Sequence, residues 1–370
     1  MTKRQDLPKF GAMQGVRVVH ASMSVVGPFA AALMANMGAD VMWIENPKGL
    51  DIARSGGTNA VWTVECNWRD QRNLSLNITD LQGREVFLKL MQETDIFIES
   101  SKGGQWVNWG LSDEVLWAVN PKLVIVHISG FGQEGLPEYV GRASYEPIAQ
   151  AFGGLMFMNG APNLPAFVIK IDVVDHYSGF LAAFSALAAY QNALKTGKGD
   201  SVDLAQYEAA LRTLDTYPGF IWNDGALYKR QLGGNPGNVA GYGTYKCQGG
   251  KEFYMLVIWP GVAKAALEVF GLEYGSAEFP AGRARFLKGT PGGDKFKATV
   301  QAVCASHSAA EVECILASVK VPCSTILDFK DMQDNPQYQA RESLTEWNSW
   351  QQITHRRSVQ DLPLIAQPYV

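Results

Sequence analysis

The chain has 370 residues, 47% of them hydrophobic and 18% charged, with a formal net charge of −4. This is the composition of a globular protein with one large or two ordinary domains, and it excludes a disordered chain. The acidic balance offers no overall attraction to nucleic acid or an anionic membrane, and the longest apolar stretches, such as 27–37, are too short to span a bilayer.

Met1-Thr-Lys-Arg-Gln-Asp-Leu-Pro runs straight into polar and turn residues, so no signal peptide is expected. Residues 16–20 then read as a strand, Gly27-Pro28 as a turn, 29–37 as a helix ended by Gly38, and 41–45 as a second strand, one βαβ unit. A short strand at 74–77, a helix at 80–93, a strand at 95–99, a helix at 114–119 and a buried strand at 123–128 continue the alternation. Such repetition predicts an α/β fold, with a mostly parallel, doubly wound, Rossmann-like sheet covered by helices on both faces. Residues 180–194 are rich in Ala and Leu, with apolar positions three and four apart, and predict a buried helix. Past Thr213 the character changes through a glycine-rich tract at 233–243, which marks a domain boundary. A strand pair at 244–247 and 252–258, helices at 260–270, 294–306 and 309–318, and a strand-like 319–326 follow. The expected organisation is a large α/β domain at 1–219, a smaller α+β domain at 220–322, and a segment at 323–370 that returns to the large domain.

The five cysteines, Cys66, Cys247, Cys304, Cys314 and Cys323, are scattered without a CxxC pair, which suits reduced thiols in a cytoplasm. The five histidines, His20, His127, His176, His307 and His355, show no HExxH spacing, and no metal site is expected. Free N–H groups at the helix start after Gly27-Pro28 would attract an anion, but this turn carries neither GxGxxG nor GxxxxGK[ST], so nicotinamide and nucleoside triphosphate lack support there. Asp175, in Asp175-His176-Tyr177-Ser178-Gly179, falls near the start of the 180–194 helix. An N-cap carboxylate there accepts backbone N–H bonds and gains about 0.3–1 kcal/mol from the helix dipole, so it should stay ionised near neutral pH as a cap or a nucleophile. His176 and Ser178 are too close along the helix start to face Asp175 as a triad, and GxSxG is absent. The glycine tract could bring backbone amides to an oxyanion or serve as an interdomain loop. Ten tryptophans offer faces that attract cations, although most such rings pack in cores.

Taken together, Gly15-Val-Arg-Val-Val, Gly27-Pro-Phe-Ala-Ala and Met37-Gly-Ala-Asp-Val-Met-Trp-Ile-Glu45 resemble the N-terminal signature of the class III CoA-transferases, the formyl-CoA and carnitine type. Ser75-Leu-Asn77, Asp95-Ile-Phe-Ile-Glu99, Val126-His-Ile-Ser-Gly130-Phe-Gly132-Gln133, Ala149-Gln150-Ala151-Phe-Gly153-Gly154, Thr196-Gly-Lys-Gly-Asp200 and Asn335-Pro-Gln-Tyr-Gln-Ala-Arg-Glu342 follow in the same order over most of the chain. Pro8-Lys-Phe-Gly, Trp43-Ile-Glu-Asn46, Ser101-Lys102-Gly103 and Tyr245-Lys-Cys are most similar to the L-carnitine CoA-transferases.

The resemblance implies an interlocked homodimer of the family III fold, with the active site between the domains near the dimer interface. It makes Asp175, followed by Ser178 and Gly179, the nucleophile that forms an aspartyl mixed anhydride and then an aspartyl-CoA thioester. Coenzyme A, as acyl-CoA co-substrate, would lie in the first domain. Val25, Gly27 and Pro28 would sit beside the thioester, Arg54 and Lys102 on the diphosphate, and Trp109 against the adenine. Tyr145, Gly233 and Gly234 would serve the acceptor side. Carnitine, crotonobetaine or γ-butyrobetaine is the implied acceptor, with a sulfonium propionate as a second onium acid. Two departures stand out: Asn108-Trp109-Gly110 lacks the Arg that relatives carry there, and Val370 ends the chain where relatives continue into a helical tail. An acyl-CoA racemase of the same fold, with His127 as the tempting acid or base, and a non-catalytic CoA-binding half of a larger enzyme are the alternatives.

Overall fold

The computed structural model describes residues 9–49, 51–55, 63–64, 68–225, 239–347 and 356–359. Their contacts divide into one unit drawn from Met1–Asn159, Phe167–Ala226 and Ser343–Val370, and a second drawn from Gly160–Ala166 and Leu227–Glu342.

The first unit is built on β1 (Arg17–Ala21), β2 (Asp40–Glu45), β3 (Gln71–Ser75), β4 (Ile96–Glu99), β5 (Val124–Ser129) and β6 (Ser201–Ala205). They form a six-stranded sheet in the order β3-β2-β1-β4-β5-β6, and every pairing is parallel. Strands β4 and β5 are buried along their whole length, as central strands covered on both faces must be. Side chains alternate between two cores. Val18, Ile96, Ile98, Val124 and Val126 pack with Ala30, Leu33 and Met34 on one face. Val19, Phe97 and Ile125 pack with Phe87, Met91 and Leu116 on the other. The α/β expectation therefore holds, and the strands predicted for this unit lie within three residues of their observed bounds.

Two helix boundaries differ from the sequence expectation, and both bear on function. Gly27 and Pro28 are not a turn but part of helix α1 (Val26–Asn36). A proline is tolerated in a first turn because the N–H it lacks would have no partner within the helix. Gly27 is small for a steric reason, since a Cβ there would stand 2.1 Å from Ser22 Oγ in the loop after β1. The second difference is the long helix, which runs Val173–Thr196 and so begins seven residues before its predicted start. Local sequence argued against helix, with two β-branched valines at its start and a glycine soon after. Packing overrides that preference. The buried residues Val174, Ser178, Gly179, Ala182, Ala186, Ala189 and Ala193 recur at helical spacing and lay a small-residue face on α1 and the sheet. At Gly179 a Cβ would lie 2.8 Å from Phe29 Cδ1 and 3.1 Å from the Val26 carbonyl oxygen, so glycine sets the approach of the two helices.

The second unit has an antiparallel sheet in which Glu252–Leu256 pairs with Tyr242–Lys246 on one side and Cys323–Thr325 on the other. Helices Pro260–Val269, Pro291–Ser306 and Ala309–Ser318 cover it around Phe253, Met255, Leu267, Phe296 and Leu316. The strand predicted at 319–326 shrinks to three residues because Lys320 turns left-handed, at φ 61°, just after the last helix. Cys247 and Cys304 are buried free thiols in this core. Among the described residues, no helix is long and apolar enough to cross a membrane.

Candidate functional site

In an open parallel sheet of this strand order, the chain leaves β1 and β4 in opposite directions and opens a crevice outside their carboxyl ends. A cavity of about 420 Å³ lies there. Its wall includes Ser22 and Ser24 after β1, Glu45 and Asn46 at the end of β2, Ser100 to Lys102 after β4, Ser129 and Gly130 at the end of β5, and Gln206 after β6. The long helix contributes Asp175, and the chain ahead of the short helix Glu146–Phe152 contributes Arg142, Tyr145 and Glu146.

Hydrogen bonds fix the loop after β1. Ser24 N–H donates to both oxygens of Asp51 at 3.2 and 3.1 Å, and Met23 N–H donates to Ser100 Oγ at 3.1 Å. The indoles of Trp43 and Trp68 donate to the carbonyls of Ser22 and Ser24. Ser24 is held at φ 63°, a conformation few non-glycine residues adopt, and the bonds on either side hold it there.

Asp175 is a carboxylate of the cavity wall. The helix N-cap is Asp172, so Asp175 lies within the first turn and is not the predicted cap. It is buried, and its carboxylate accepts from Gln206 Nε2 at 2.5 Å on Oδ1. Burial raises its pKa to about 7. The Gln206 hydrogen bond opposes that rise, while the neighbouring carboxylates of Asp172 and Glu146 add to it. The expectation of a carboxylate held ionised by the helix dipole is thus corrected, because desolvation outweighs the favourable end of the helix. Glu146, also buried and raised by burial, has the capping role instead. Its Oε1 accepts Val174 N–H at 3.1 Å and Gln150 Nε2 at 2.6 Å.

Of the other residues singled out from sequence, Lys102, Trp109 and Tyr145 line the same cavity as Asp175. Lys102 is exposed and Trp109 half-buried, and Tyr145 is 53% exposed. Val25, Gly27 and Pro28 are buried at the start of α1 and do not line the cavity, although Val26 does. Arg54 is also off the wall. Its Nε pairs with Glu45 Oε1 at 2.7 Å, and its guanidinium lies 4.7 Å from the centre of the Trp43 ring. Gly233 and Gly234 lie outside the described residues. Ser178 is fully buried one turn beyond Asp175, away from the wall, and its hydroxyl has no hydrogen-bond partner among the described residues. His127 does not line the cavity either. Its two ring nitrogens meet Glu99 at 2.8 Å and Asp113 at 3.0 Å, which denies it to a proton-transfer reaction.

Sequence reasoning missed Gln206, Glu146 and Arg142. No local pattern marks Gln206, whose importance comes from β6 ending where it does. Gly130-Phe131-Gly132-Gln133-Glu134-Gly135 does carry GxGxxG spacing, but it follows β5 and leads into a single helical turn, Pro137–Val140. That is not the strand, turn and long helix which a dinucleotide needs. Among the described residues, no group of three or more His, Cys, Asp or Glu side chains is placed to hold a metal.

A buried carboxylate with a pKa near neutrality, one oxygen bonded and like charges around it, is more basic and more nucleophilic than an ordinary Asp. It suits attack on a carbonyl. Lys102 and Arg142 supply positive charge on the same wall, and the Arg142 guanidinium is held 5.3 Å from the Phe131 ring centre.

A family model described as CoA-transferase family III matches residues 13–364. The Bile acid CoA-transferase BaiK of Clostridium scindens is 37% identical over 350 residues, covering 94% of this chain and 78% of that protein. A solved CAIB/BAIF family protein from Brucella suis has a TM-score of 0.77 and 25% identity, covering 91% of this chain and 89% of its own. Rv3272 of Mycobacterium tuberculosis shares the fold at a TM-score of 0.79 and 20% identity, with coverage of 95% and 92%.

Proposed function

The chain belongs to CoA-transferase family III, and from that premise we propose that Asp175 is the group that passes CoA from an acyl-CoA to an acceptor carboxylate. One Asp175 oxygen attacks the thioester carbonyl and expels CoA thiolate, giving a mixed anhydride. The thiolate then attacks Asp175 Cγ and expels the donor acid, leaving an aspartyl-CoA thioester. The acceptor carboxylate attacks Cγ in turn and releases the thiolate. Attack of that thiolate on the acceptor carbonyl forms the new CoA ester and restores the Asp175 carboxylate. No proton is gained or lost over the cycle, so the requirement on Asp175 is that it be ionised.

The observation that carries this reading is a buried carboxylate, raised in pKa, on the wall of a cavity at the carboxyl ends of the strands. Lys102 and Arg142 on the same wall support a role in holding the phosphates of CoA, and the Trp109 ring supports one against its adenine. Arg142 is a positive charge on the wall that would offset the Asn108-Trp109-Gly110 departure.

For the acceptor, we favour an onium carboxylate such as carnitine, crotonobetaine, γ-butyrobetaine or a sulfonium propionate. The exposed ring of Tyr145 on the wall supports a cationic body. A bulky apolar carboxylate is the second reading, favoured by the relative named for bile acids. A homodimer belongs to the same proposal, and the exposed Phe180, Phe184 and Leu194 on the long helix support such a contact. The test is transfer from an acyl-CoA to a panel of onium acids and bile acids, read by liquid chromatography of CoA esters. Onium-CoA formation is expected; a panel in which bile acids alone accept CoA selects the second reading, and no transfer to any acid contradicts both.

A further inference from the structure

Asp175 has one donor where its chemistry would use one most. We infer that Gln206 is a catalytic residue of this site, whose amide holds Asp175 Oδ1 and serves as the oxyanion donor each time a nucleophile attacks Asp175 Cγ. The inference rests on the proposal that Asp175 is the nucleophile, and it assigns the next residue of that machinery.

The placement is fixed by the fold. Ala205 closes β6 in register with Ser129 of β5, and Gln206 is the first residue of the helix Gln206–Arg212 that follows. Its side chain is buried and reaches the cavity wall, with Nε2 at 2.5 Å from Oδ1. The charged groups described around Asp175 do not assist it. Glu146, from the facing short helix, and Asp172, one turn back on its own helix, are carboxylates. The His176 ring turns back to the Asp172 carbonyl, with Nδ1 at 2.7 Å. Helix α1, packed alongside, carries no charged side chain. On the Gln206 helix, Glu208 is bonded to the Tyr207 hydroxyl at 3.0 Å.

A donor on Oδ1 leaves Oδ2 to attack. Through the cycle Oδ2 is the oxygen that bridges to the acyl group and departs with the donor acid, while Oδ1 stays on Cγ as the carbonyl oxygen of both the anhydride and the thioester. When CoA thiolate or the acceptor carboxylate adds to Cγ, the electron pair of that carbonyl moves onto Oδ1, where the Gln206 N–H already points. When the leaving group departs, the pair returns. A donor preset at the atom that gains charge lowers both barriers without reorganisation. It also favours the ionised carboxylate in the resting enzyme, against the effect of burial.

The experiment compares the full chain with Gln206→Met, which keeps the side-chain volume and removes the donor, and with Gln206→Asn, which keeps an amide one methylene short. Thermal unfolding establishes that each is folded, and the second variant stands in should the first not fold. In Gln206→Met, kcat should fall roughly 100-fold. KM for acyl-CoA should stay within about threefold, because the lost interaction belongs to the transition state. The acid limb of kcat/KM should move to higher pH. Gln206→Asn should lie between Gln206→Met and wild type. Folded variants with kcat within about threefold of wild type and an unmoved acid limb overturn the inference. Asp175→Asn separates the two levels: if it abolishes transfer while Gln206→Met does not, the Gln206 role alone fails, and if Asp175→Asn still transfers CoA, the nucleophile proposal fails with it.

Discussion

Glu99 and Asp175 are both buried carboxylates of the first unit, and their surroundings are opposite in kind. Glu99, at the end of β4, is satisfied on both oxygens. Its Oε1 meets His127 Nδ1 at 2.8 Å, and its Oε2 accepts Trp106 Nε1 at 2.7 Å and Ser101 N–H at 2.6 Å. Burial pulls the His127 pKa down, but the hydrogen bonds and charges of Asp113 and Glu99 more than offset it and push it up to about 10, so the imidazole is a cation at neutral pH. This cluster ties β4, β5 and the helix Asp113–Val119 together and anchors the loop that carries Ser101 and Lys102 to the cavity. Among the described residues, Asp175 has one neutral donor and two carboxylate neighbours. A buried charge with a full set of partners holds structure, whereas one with too few is held at a cost and is available to react.

The contrast predicts stability effects of opposite sign. The larger belongs to Glu99. Glu99→Ala takes a buried imidazolium's partner carboxylate away and leaves the Ser101 backbone N–H short of an acceptor, and should destabilise the protein by roughly 3–5 kcal/mol. A shift of the urea midpoint to lower concentration with an unchanged slope would show it, and an unshifted midpoint would dissolve the contrast.

The smaller effect belongs to Asp175. Its pKa is higher folded than unfolded, so its favourable contribution is complete below about pH 4 and is lost as pH rises through about 7. Asp175→Asn removes the charge and should stabilise the protein at pH 8 by about 1–3 kcal/mol, a gain that vanishes below about pH 4. Unfolding curves for both proteins at the two pH values check this. A variant less stable at pH 8 would mean that Asp175 is satisfied as Glu99 is.

Much of the fold was legible because its signals are local. The buried apolar strands, Gly38 after α1 and the Asp80 cap of Leu81–Met91, whose carboxylate accepts Gly83 N–H at 2.8 Å, all speak within a few residues. The early start of the long helix was not legible, because it depends on Gly179 meeting α1, a contact between residues about 150 positions apart in a packed core. The site divides in the same way. Asp175 becomes a candidate through the family resemblance of its run with Ser178 and Gly179, although its raised pKa could not be read there, since burial is a property of the folded chain. Glu146 and Gln206 reach Asp175 from separate elements, and no spacing in the sequence announces that they meet.

The most direct measurement is peptide mass spectrometry of the protein quenched during incubation with acyl-CoA and hydroxylamine. An aspartyl mixed anhydride or aspartyl-CoA thioester converts to a hydroxamate, so a modification at Asp175 that needs acyl-CoA and disappears in folded Asp175→Asn is the predicted result. Steady transfer of CoA by the wild-type protein with Asp175 unmodified, or with the label on another residue, would contradict it.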